Sequence, residues 1–581
     1  MSSIIQDTSN SNCRELLDVL EYQGLTDVVI SPGSRNTPLI IGVHARASFR
    51  KHVITDERTA AFFALGLSVV SGKPTALICT SGTAIYNYAP AIAEAFYQHI
   101  PLIVISADRP QQWIDQNDSQ TLHQFGALQK IVKKSFDISE ETGNETICRG
   151  NAFQYEKDWN VNRIANEAFL ASVTGIPGPV HVNVQLRQPL NGMTEYHQKN
   201  VRTILFIKNE GTLPYHKLSE LSEYLCRRRV LIVAGQMRAD DRLNRALNKF
   251  IKMPNVTLMC ETISNLHIKG HYTMVDTLLR FNDVISDCRL RPDVVISIGG
   301  PLVSRMLKEY LRSCIGMEHW TLNDTPFHYD PFQHLSCHID ASPEKFFFGV
   351  ASVTQHLMKS GLTIANCDYS RTWNDAREKC FKALANDLQN APWSELSALK
   401  CVFDELPEEI NLCLSNGTCV RYAQLLVDKP FHACYCNRGV SGIEGGNATA
   451  LGIAKEYGGY TVLVTGDMSF AYNPDVLRLA GGTRLCIILM NNAGGGIFRF
   501  VKTTRDLPIR EEYFCASPDL PVKQLCEAYG WKYLRASAAY ELKDSMQYLK
   551  ENNDKENILV EICVDEQKSA DILTHFLAPH L

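Results

Sequence analysis

The sequence predicts an α/β fold made of three doubly wound parallel-sheet domains. Three observations carry this. Short apolar runs alternate with amphipathic, helix-length stretches, the signature of strand–helix–strand units. The alternation restarts twice after polar interruptions. At about 150 residues per domain, a chain of 581 residues has room for three such units and their connections.

In the first third the strand-like runs are Thr26–Ser31, Thr75–Thr80, Pro101–Ser106 and Gly178–Val184, with an amphipathic helix over Ala84–Gln98. They define an N-terminal α/β domain over residues 1–190. The polar stretch Pro189–Val201 reads as a linker. A central α/β domain follows over 202–360, where Arg229–Ala234 runs into Gly235 and Pro292–Ile298 into Gly299. Residues 361–405 are charged and helical in pattern, a connecting arm. The C-terminal α/β domain, 406–581, carries strands at Ala433–Cys436, Thr461–Thr465, Leu485–Met490 and Leu559–Val564.

Composition narrows the function classes. With 45% hydrophobic and 21% charged residues the chain is an ordinary soluble globular protein. A net charge of −5 over this length gives no long-range attraction to nucleic acid or an anionic membrane, so any anion site must come from local arginines. The 19 cysteines are scattered without a Cys-x-x-Cys pair; they read as small buried hydrophobes in a reducing cytosol. Met1–Asn12 has no basic and apolar signal pattern, and no run approaches the roughly 20 apolar residues needed to cross a bilayer. A cytoplasmic protein without membrane insertion is expected.

The most informative motif lies in the last third. The run Thr461–Thr465 leads straight into Gly466-Asp467-Met468-Ser469, and Asn491-Asn492 closes the next strand 25 residues after Asp467. That spacing fits one right-handed crossover, which sets Asp467 and Asn492 side by side at the carboxyl edge of the sheet. A carboxylate and an amide oxygen are hard ligands suited to Mg²⁺, which keeps its other positions for phosphate and water. Gly494, in a Gly494-Gly495-Gly496 run, supplies a backbone carbonyl that can approach closely. Either dipeptide alone would be a strand-end turn.

Arginines gather at other strand ends. Ser34 and Arg35 follow a strand, with Thr37 as N-cap and Pro38 as the first residue of a helix, a pattern that makes an anion site. Arg109 follows Pro101–Ser106, Arg421 follows the turn Ser415-Asn416-Gly417, and Arg438 ends Ala433–Cys436. Guanidinium forks bind carboxylates in bidentate fashion, so substrates with several carboxylates are expected.

Gly-Asp-x-Ser followed by Asn-Asn resembles the thiamine diphosphate and Mg²⁺ motif of the pyruvate-decarboxylase-like enzymes. The resemblance implies the three-domain fold of those enzymes (pyrimidine-binding, central and diphosphate-binding) and a cofactor set of thiamine diphosphate with Mg²⁺, for which Mn²⁺ can substitute. It implies cofactor contacts at Glu57, Ile443, Gly466, Asp467, Met468, Ser469, Asn492, Gly494 and Ile497. Met468 stands where a third Gly is commonest. Glu57, in Thr55-Asp56-Glu57-Arg58, matches the acid beside N1′ of the aminopyrimidine, normally supplied across a subunit interface, so a homo-oligomer is implied. A carboxyl buried against that ring should have a raised pKa. Thr55 as a helix N-cap, with acids in the first turn, is the structural alternative.

Longer segments narrow the resemblance to the menaquinone-pathway branch of this family: ISPGSRNTPL, TDERTAAFFALGL, SADRP, NRGVSGIEG, GDMSF and NNAGGGIF. That branch implies 2-oxoglutarate and isochorismate as substrates and substrate roles for Ser34, Arg35, Arg109, Gln120, Arg305, Arg421, Arg438 and Phe498. Ile443 matches the bulky residue that props the cofactor in its V shape. Asp118-Ser119 stands where many members have Ala-Asn, Gly417 where some have Ser, and Arg305-Met306 where basic pairs occur. The alternatives are another thiamine diphosphate enzyme, such as an acetolactate synthase or a simple 2-oxo acid decarboxylase, and a non-catalytic binding protein on the same fold. A dinucleotide dehydrogenase is disfavoured, because no Gly-x-Gly-x-x-Gly follows a first strand.

Overall fold

The computed structural model describes residues 5–140, 151–197, 200–208, 211–268, 273–323, 325, 327–389 and 391–578, with the backbone alone for 151–156. A short antiparallel pair joins β1 (Gln6–Thr8) to β8 (Met193–Glu195). The stretch read as a linker therefore holds a strand, one whose partner lies far away in sequence and leaves no local signal; residues 198 and 199 of that stretch lie outside the described residues.

The first large sheet contains β2 (Asp27–Ile30), β3 (Arg50–Val53), β4 (Thr75–Cys79), β5 (Leu102–Asp108), β6 (Ser135–Ile138) and β7 (Val180–Gln185) in the order β3-β2-β4-β5-β7-β6. The second contains β9 (Val230–Ala234), β10 (Val256–Cys260), β11 (Val294–Ile298), β12 (Glu318–Asn323) and β13 (Leu335–Asp340) in the order β10-β9-β11-β12-β13. The third contains β14 (Asn411–Leu414), β15 (Ala433–Cys436), β16 (Thr461–Gly466), β17 (Leu485–Asn491), β18 (Lys532–Ala536) and β19 (Ile558–Cys563) in the order β15-β14-β16-β17-β19-β18. Every ladder in these three sheets is parallel.

Parallel sheets are covered on both faces, which is why their inner strands read as unbroken apolar runs. In β9, Val230, Ile232 and Ala234 enter one core while Leu231 and Val233 enter another on the opposite face. In each sheet the chain reverses direction beside its first strand (β2, β9 or β14), and ligands of open α/β sheets bind at such switch points. The loops that meet there are those after β2 and β4, after β9 and β11, and after β14 and β16. They pack closely: a Cβ on Gly33 would lie 2.4 Å from Thr80 Cβ, and one on Gly235 would lie 2.2 Å from the Gly300 carbonyl.

The chain forms two compact units, 1–208 with 439–457, and 209–438 with 458–581. Residues 439–457 cluster with the first unit. Within the first unit the helix Gly446–Tyr457 crosses the helix Glu57–Ser71 at two glycines. A Cβ on Gly452 would lie 2.1 Å from the Phe63 carbonyl, and one on Gly66 would lie 2.2 Å from the Thr449 carbonyl. Backbone cannot give way as a side chain can, so Gly452→Val should destabilise the first unit by about 3 kcal/mol. A drop in melting temperature of roughly 5–10 °C checks this.

The helix expected over Ala84–Gln98 is two helices, Ala84–Asn87 and Ala89–Gln98, parted at Tyr88 where Pro90 opens the second. Among the described residues no helix is long and apolar enough to cross a membrane, and every cysteine is free.

Candidate active site

In the second unit, Asp467 opens a helix directly after β16, and Asn492 follows β17, its neighbour in the sheet. The Asp467 carboxylate accepts the Met468 and Gly494 backbone N–H groups, each at 2.7 Å. Burial raises its pKa, and those bonds oppose the shift. Asn492 is 6% exposed, its Nδ2 donates to Glu395, and its Oδ1 is buried without a partner. An unpaired buried acceptor costs roughly 1–3 kcal/mol, so a cation ligand is its natural complement. Among the described residues no group of three or more His, Cys, Asp and Glu could hold a metal. One carboxylate and one free amide oxygen instead suit a Mg²⁺ that draws its remaining ligands from a diphosphate.

Gly494 has φ +115°, and a Cβ there would lie 1.8 Å from the Cys515 carbonyl, so only glycine fits. Its own carbonyl accepts the Gly496 N–H at 2.7 Å, which leaves one lone pair for a metal. Gly466 ends β16, Met468 is half-buried and Ser469 is buried. Ile497 and Phe498 lie half-buried on the turn Gly496–Arg499, with the Phe498 ring 5.6 Å from that of Phe514 and tilted against it.

The same switch point carries two arginines. Arg421, on the helix Cys419–Leu426, donates to the Gly417 carbonyl, and Arg438 Nη1 donates to Asn416 Oδ1 at 2.9 Å. Burial lowers the Arg421 pKa, and the neighbouring Arg438 charge lowers it further against the pull of Asp276. Arg438 Nε is buried without a partner. Two guanidinium groups held together in this way call for an anion.

Behind them lies a feature that no motif announced. Glu261 accepts the Val303 and Ser304 backbone N–H groups at 2.7 Å each, and the Ser304 hydroxyl donates to Asp276. Burial pushes Glu261 up to about 7 and Asp276 up to about 6. Lys308 donates to the Leu302 carbonyl at 2.8 Å; burial lowers its pKa, Glu261 opposes this, and Arg438 adds to it. Arg305, one turn earlier on the same helix, has an 83% exposed side chain paired with Glu309. The structure thus brings Lys308 towards Arg438 and leaves Arg305 at the surface.

In the first unit Glu57 is the first residue of its helix, capped by Asp56, which accepts the Thr59 N–H at 2.7 Å; Thr55 is not the cap. Asn87 Nδ2 donates to Glu57 Oε2 at 3.1 Å, and the carboxylate is only half-buried. Arg35 is buried and donates to the Leu186 carbonyl at 3.0 Å. Burial and the adjacent Arg109 lower its pKa, while Asp118 and Asp108 oppose this. Arg109 pairs with Asp118, and its Nε is buried without a partner. Ser34 is exposed on the loop after β2, and Gln120, at φ +53°, packs against Gly82. The helix cap here is Asn36 rather than Thr37. The Asn36 side chain turns into the loop, accepting from Gly33 N–H and donating to the Ser31 carbonyl, so it leaves the helix N–H groups uncapped. Ile443 is half-buried just ahead of the helix Gly446–Tyr457. Glu94, 1% exposed, accepts the Gly439 and Val440 N–H groups at 2.6 and 2.8 Å and so fixes the start of that segment.

Comparison with known proteins bears on this geometry. Residues 14–127 match the family described as thiamine pyrophosphate enzyme, N-terminal TPP binding domain. Residues 196–414 match the middle domain of thiamine pyrophosphate enzymes. A 2-succinyl-5-enolpyruvyl-6-hydroxy-3-cyclohexene-1-carboxylate synthase of Porphyromonas gingivalis is 35% identical over 97% of this chain and 96% of its own. The protein of the same name from Cytophaga hutchinsonii is 34% identical over 97% of each chain. The chain belongs to the 2-succinyl-5-enolpyruvyl-6-hydroxy-3-cyclohexene-1-carboxylate synthase family.

As a member of this synthase family the chain is a thiamine-diphosphate-dependent enzyme of the carboligase type acting on small molecules. The fold agrees: the crystal structure of a benzoylformate decarboxylase from Polynucleobacter necessarius aligns with a TM-score of 0.68 over 96% of this chain and 99% of that one, at 16% identity. The residues that reading by motif missed are Glu395, Lys308, Asp276 and Glu261. Each is a charged residue in an otherwise helical or apolar stretch. Only Glu261, standing at the end of the apolar run Val256–Cys260, offered a sequence cue.

Proposed function

We propose that this synthase-family member decarboxylates 2-oxoglutarate and joins the resulting succinyl carbanion to isochorismate by 1,4-addition. The product is 2-succinyl-5-enolpyruvyl-6-hydroxy-3-cyclohexene-1-carboxylate, for menaquinone biosynthesis. The observation that carries the reading is that Arg421 and Arg438 are anchored in part-buried surroundings on the adjacent residues Gly417 and Asn416, close enough for the Arg438 charge to bear on Arg421, which suits substrates rich in carboxylates.

Bound thiamine diphosphate supplies the electron sink that lets a 2-oxo acid lose CO₂. The residues of this chain do the rest. Asp467, Asn492 and the Gly494 carbonyl hold Mg²⁺, for which Mn²⁺ can substitute, and through it the diphosphate. Gly466, Met468, Ser469, Ile443 and Ile497 line the cofactor. Glu57 holds a proton at N1′ of the aminopyrimidine, acting from a second copy of the chain, so the working form is a homodimer or homotetramer. Ser34, Arg35, Arg109 and Gln120 bind one set of carboxylates, and Arg421 and Arg438 another, with Arg305 at the rim and Phe498 near the reacting carbon. Holding two anions in register supplies much of the rate. We further read the three sheets as domains over 1–190, 202–360 and 406–581, joined by the arm 361–405, in a cytoplasmic protein.

The test is an assay of purified protein with thiamine diphosphate, Mg²⁺ and 2-oxoglutarate that follows isochorismate loss and CO₂ release together. Matched consumption supports the reading. CO₂ release indifferent to isochorismate turns it into a simple 2-oxo acid decarboxylase, and pyruvate turnover in its place points to an acetolactate-synthase-like carboligase. Arg421→Met should raise the KM for 2-oxoglutarate by about 10²-fold, since losing one partner of a buried charge contact costs roughly 2–5 kcal/mol. An unchanged KM would remove Arg421 from the substrate site.

A further inference from the structure

We infer that Glu395, in the helical arm between the second and third sheets, is a positioning residue that orients the amide of Asn492 towards the metal. The inference rests on the reading of Asp467 and Asn492 as metal ligands. An asparagine amide can turn either its oxygen or its NH₂ to a given side, and whatever receives one end decides the other. Here Nδ2 donates to Glu395 Oε1, and both residues are buried, at 6% and 3% exposure. Turning the amide over would set Oδ1 against the ionised carboxylate, acceptor to acceptor, and forfeit the bond. Oδ1 is therefore held on the side where it has no protein partner.

Glu395 is itself fixed. Its backbone N–H donates to Ser569 Oγ at 3.2 Å. The preceding Ser394 caps the helix Glu395–Glu405 in a capping box: its Oγ accepts the Ser397 N–H, and its own backbone N–H donates to Ser397 Oγ at 3.0 Å. Trp393 Nε1 donates to the Cys563 carbonyl at 3.1 Å, which ties the start of that helix to the end of β19. The Tyr422 hydroxyl also lies against Glu395, on the helix that carries Arg421. The NH₂ lies against Gly496, where a Cβ would fall 2.3 Å from Asn492 Nδ2, so only a glycine there leaves room for the amide in this orientation. A carboxylate behind a ligand also raises the basicity of its oxygen, and loss of such a partner typically costs about 10–100-fold in metal affinity.

The test is Mn²⁺ binding to the full-length protein with thiamine diphosphate present, read by the electron paramagnetic resonance of free Mn²⁺ and by competition with Mg²⁺. Glu395→Met should weaken Mn²⁺ by about 10–100-fold. Glu395→Gln keeps an acceptor and should stay close to the unsubstituted protein. In an Asn492→Ala background, Glu395→Met should change nothing further, because the effect runs through Asn492; a merely structural role would add its loss in both backgrounds. Should Glu395→Met fail to fold, Glu395→Asp withdraws the carboxylate by one methylene and should also weaken Mn²⁺. Full Mn²⁺ affinity in a folded Glu395→Met or Glu395→Asp protein, while Asn492→Ala loses it, overturns the inference and spares the metal site. Unchanged affinity in Asn492→Ala overturns the metal site itself.

Discussion

Glu57→Gln should lower kcat by roughly 10²–10⁴-fold, the usual contribution of a positioned acid–base group, and leave the melting temperature close to that of the unsubstituted protein. The structure makes the substitution a clean one. Asp56, not Glu57, caps the helix, so its start survives. Glutamine keeps an oxygen to accept from Asn87 Nδ2, now at 3.1 Å from Glu57 Oε2. The only folding loss is one negative charge in a first helical turn, worth about 0.3–1 kcal/mol. What glutamine cannot do is share a proton with the aminopyrimidine. Steady-state turnover beside a thermal melt measures both quantities, and near-normal turnover would strike Glu57 from the catalytic residues.

Gly494→Ala should cost both stability and metal binding. The added Cβ would fall 1.8 Å from the Cys515 carbonyl, a backbone atom, and would sit at φ +115°, where non-glycine residues are strained by roughly 1–3 kcal/mol. The loop must move to relieve this. As it moves, the Gly494 N–H leaves Asp467 Oδ2, a charge-assisted bond of 2.7 Å that orients the carboxylate. The expected result is a destabilisation of about 2–4 kcal/mol with a loss of Mn²⁺ affinity of 10²-fold or more. A folded variant that binds Mn²⁺ normally would show that this loop does not hold the ligands in place.

Legibility in the sequence followed burial. Strands β9, β11 and β17 lie inside their sheets, and their apolar runs were readable almost to the residue. Two exposed edge strands were not: β3 (RKHV) is largely exposed and β18 (KYLRA) half-exposed, so neither carries an apolar run, whereas the mostly buried edge strand β15 was read to the residue. At the site, Asp467, Asn492 and the glycines after them were legible because one strand–helix–strand crossover fixes their spacing. Lys308 and Glu395 were not, because what makes them important is what they face.

The sequence by itself determined the parallel α/β architecture, the cofactor motif and the collection of arginines at strand ends, since each follows from local pattern and short-range chirality. Tertiary structure alone decided which of those arginines share a charged environment. It decided that Asn492 keeps a free oxygen because Glu395, 97 residues upstream, takes its NH₂. It also decided that residues 439–457 cluster with the first sheet, through a glycine crossing between helices nearly 400 residues apart. Contacts of this kind depend on atoms meeting across the fold, and no local periodicity encodes them.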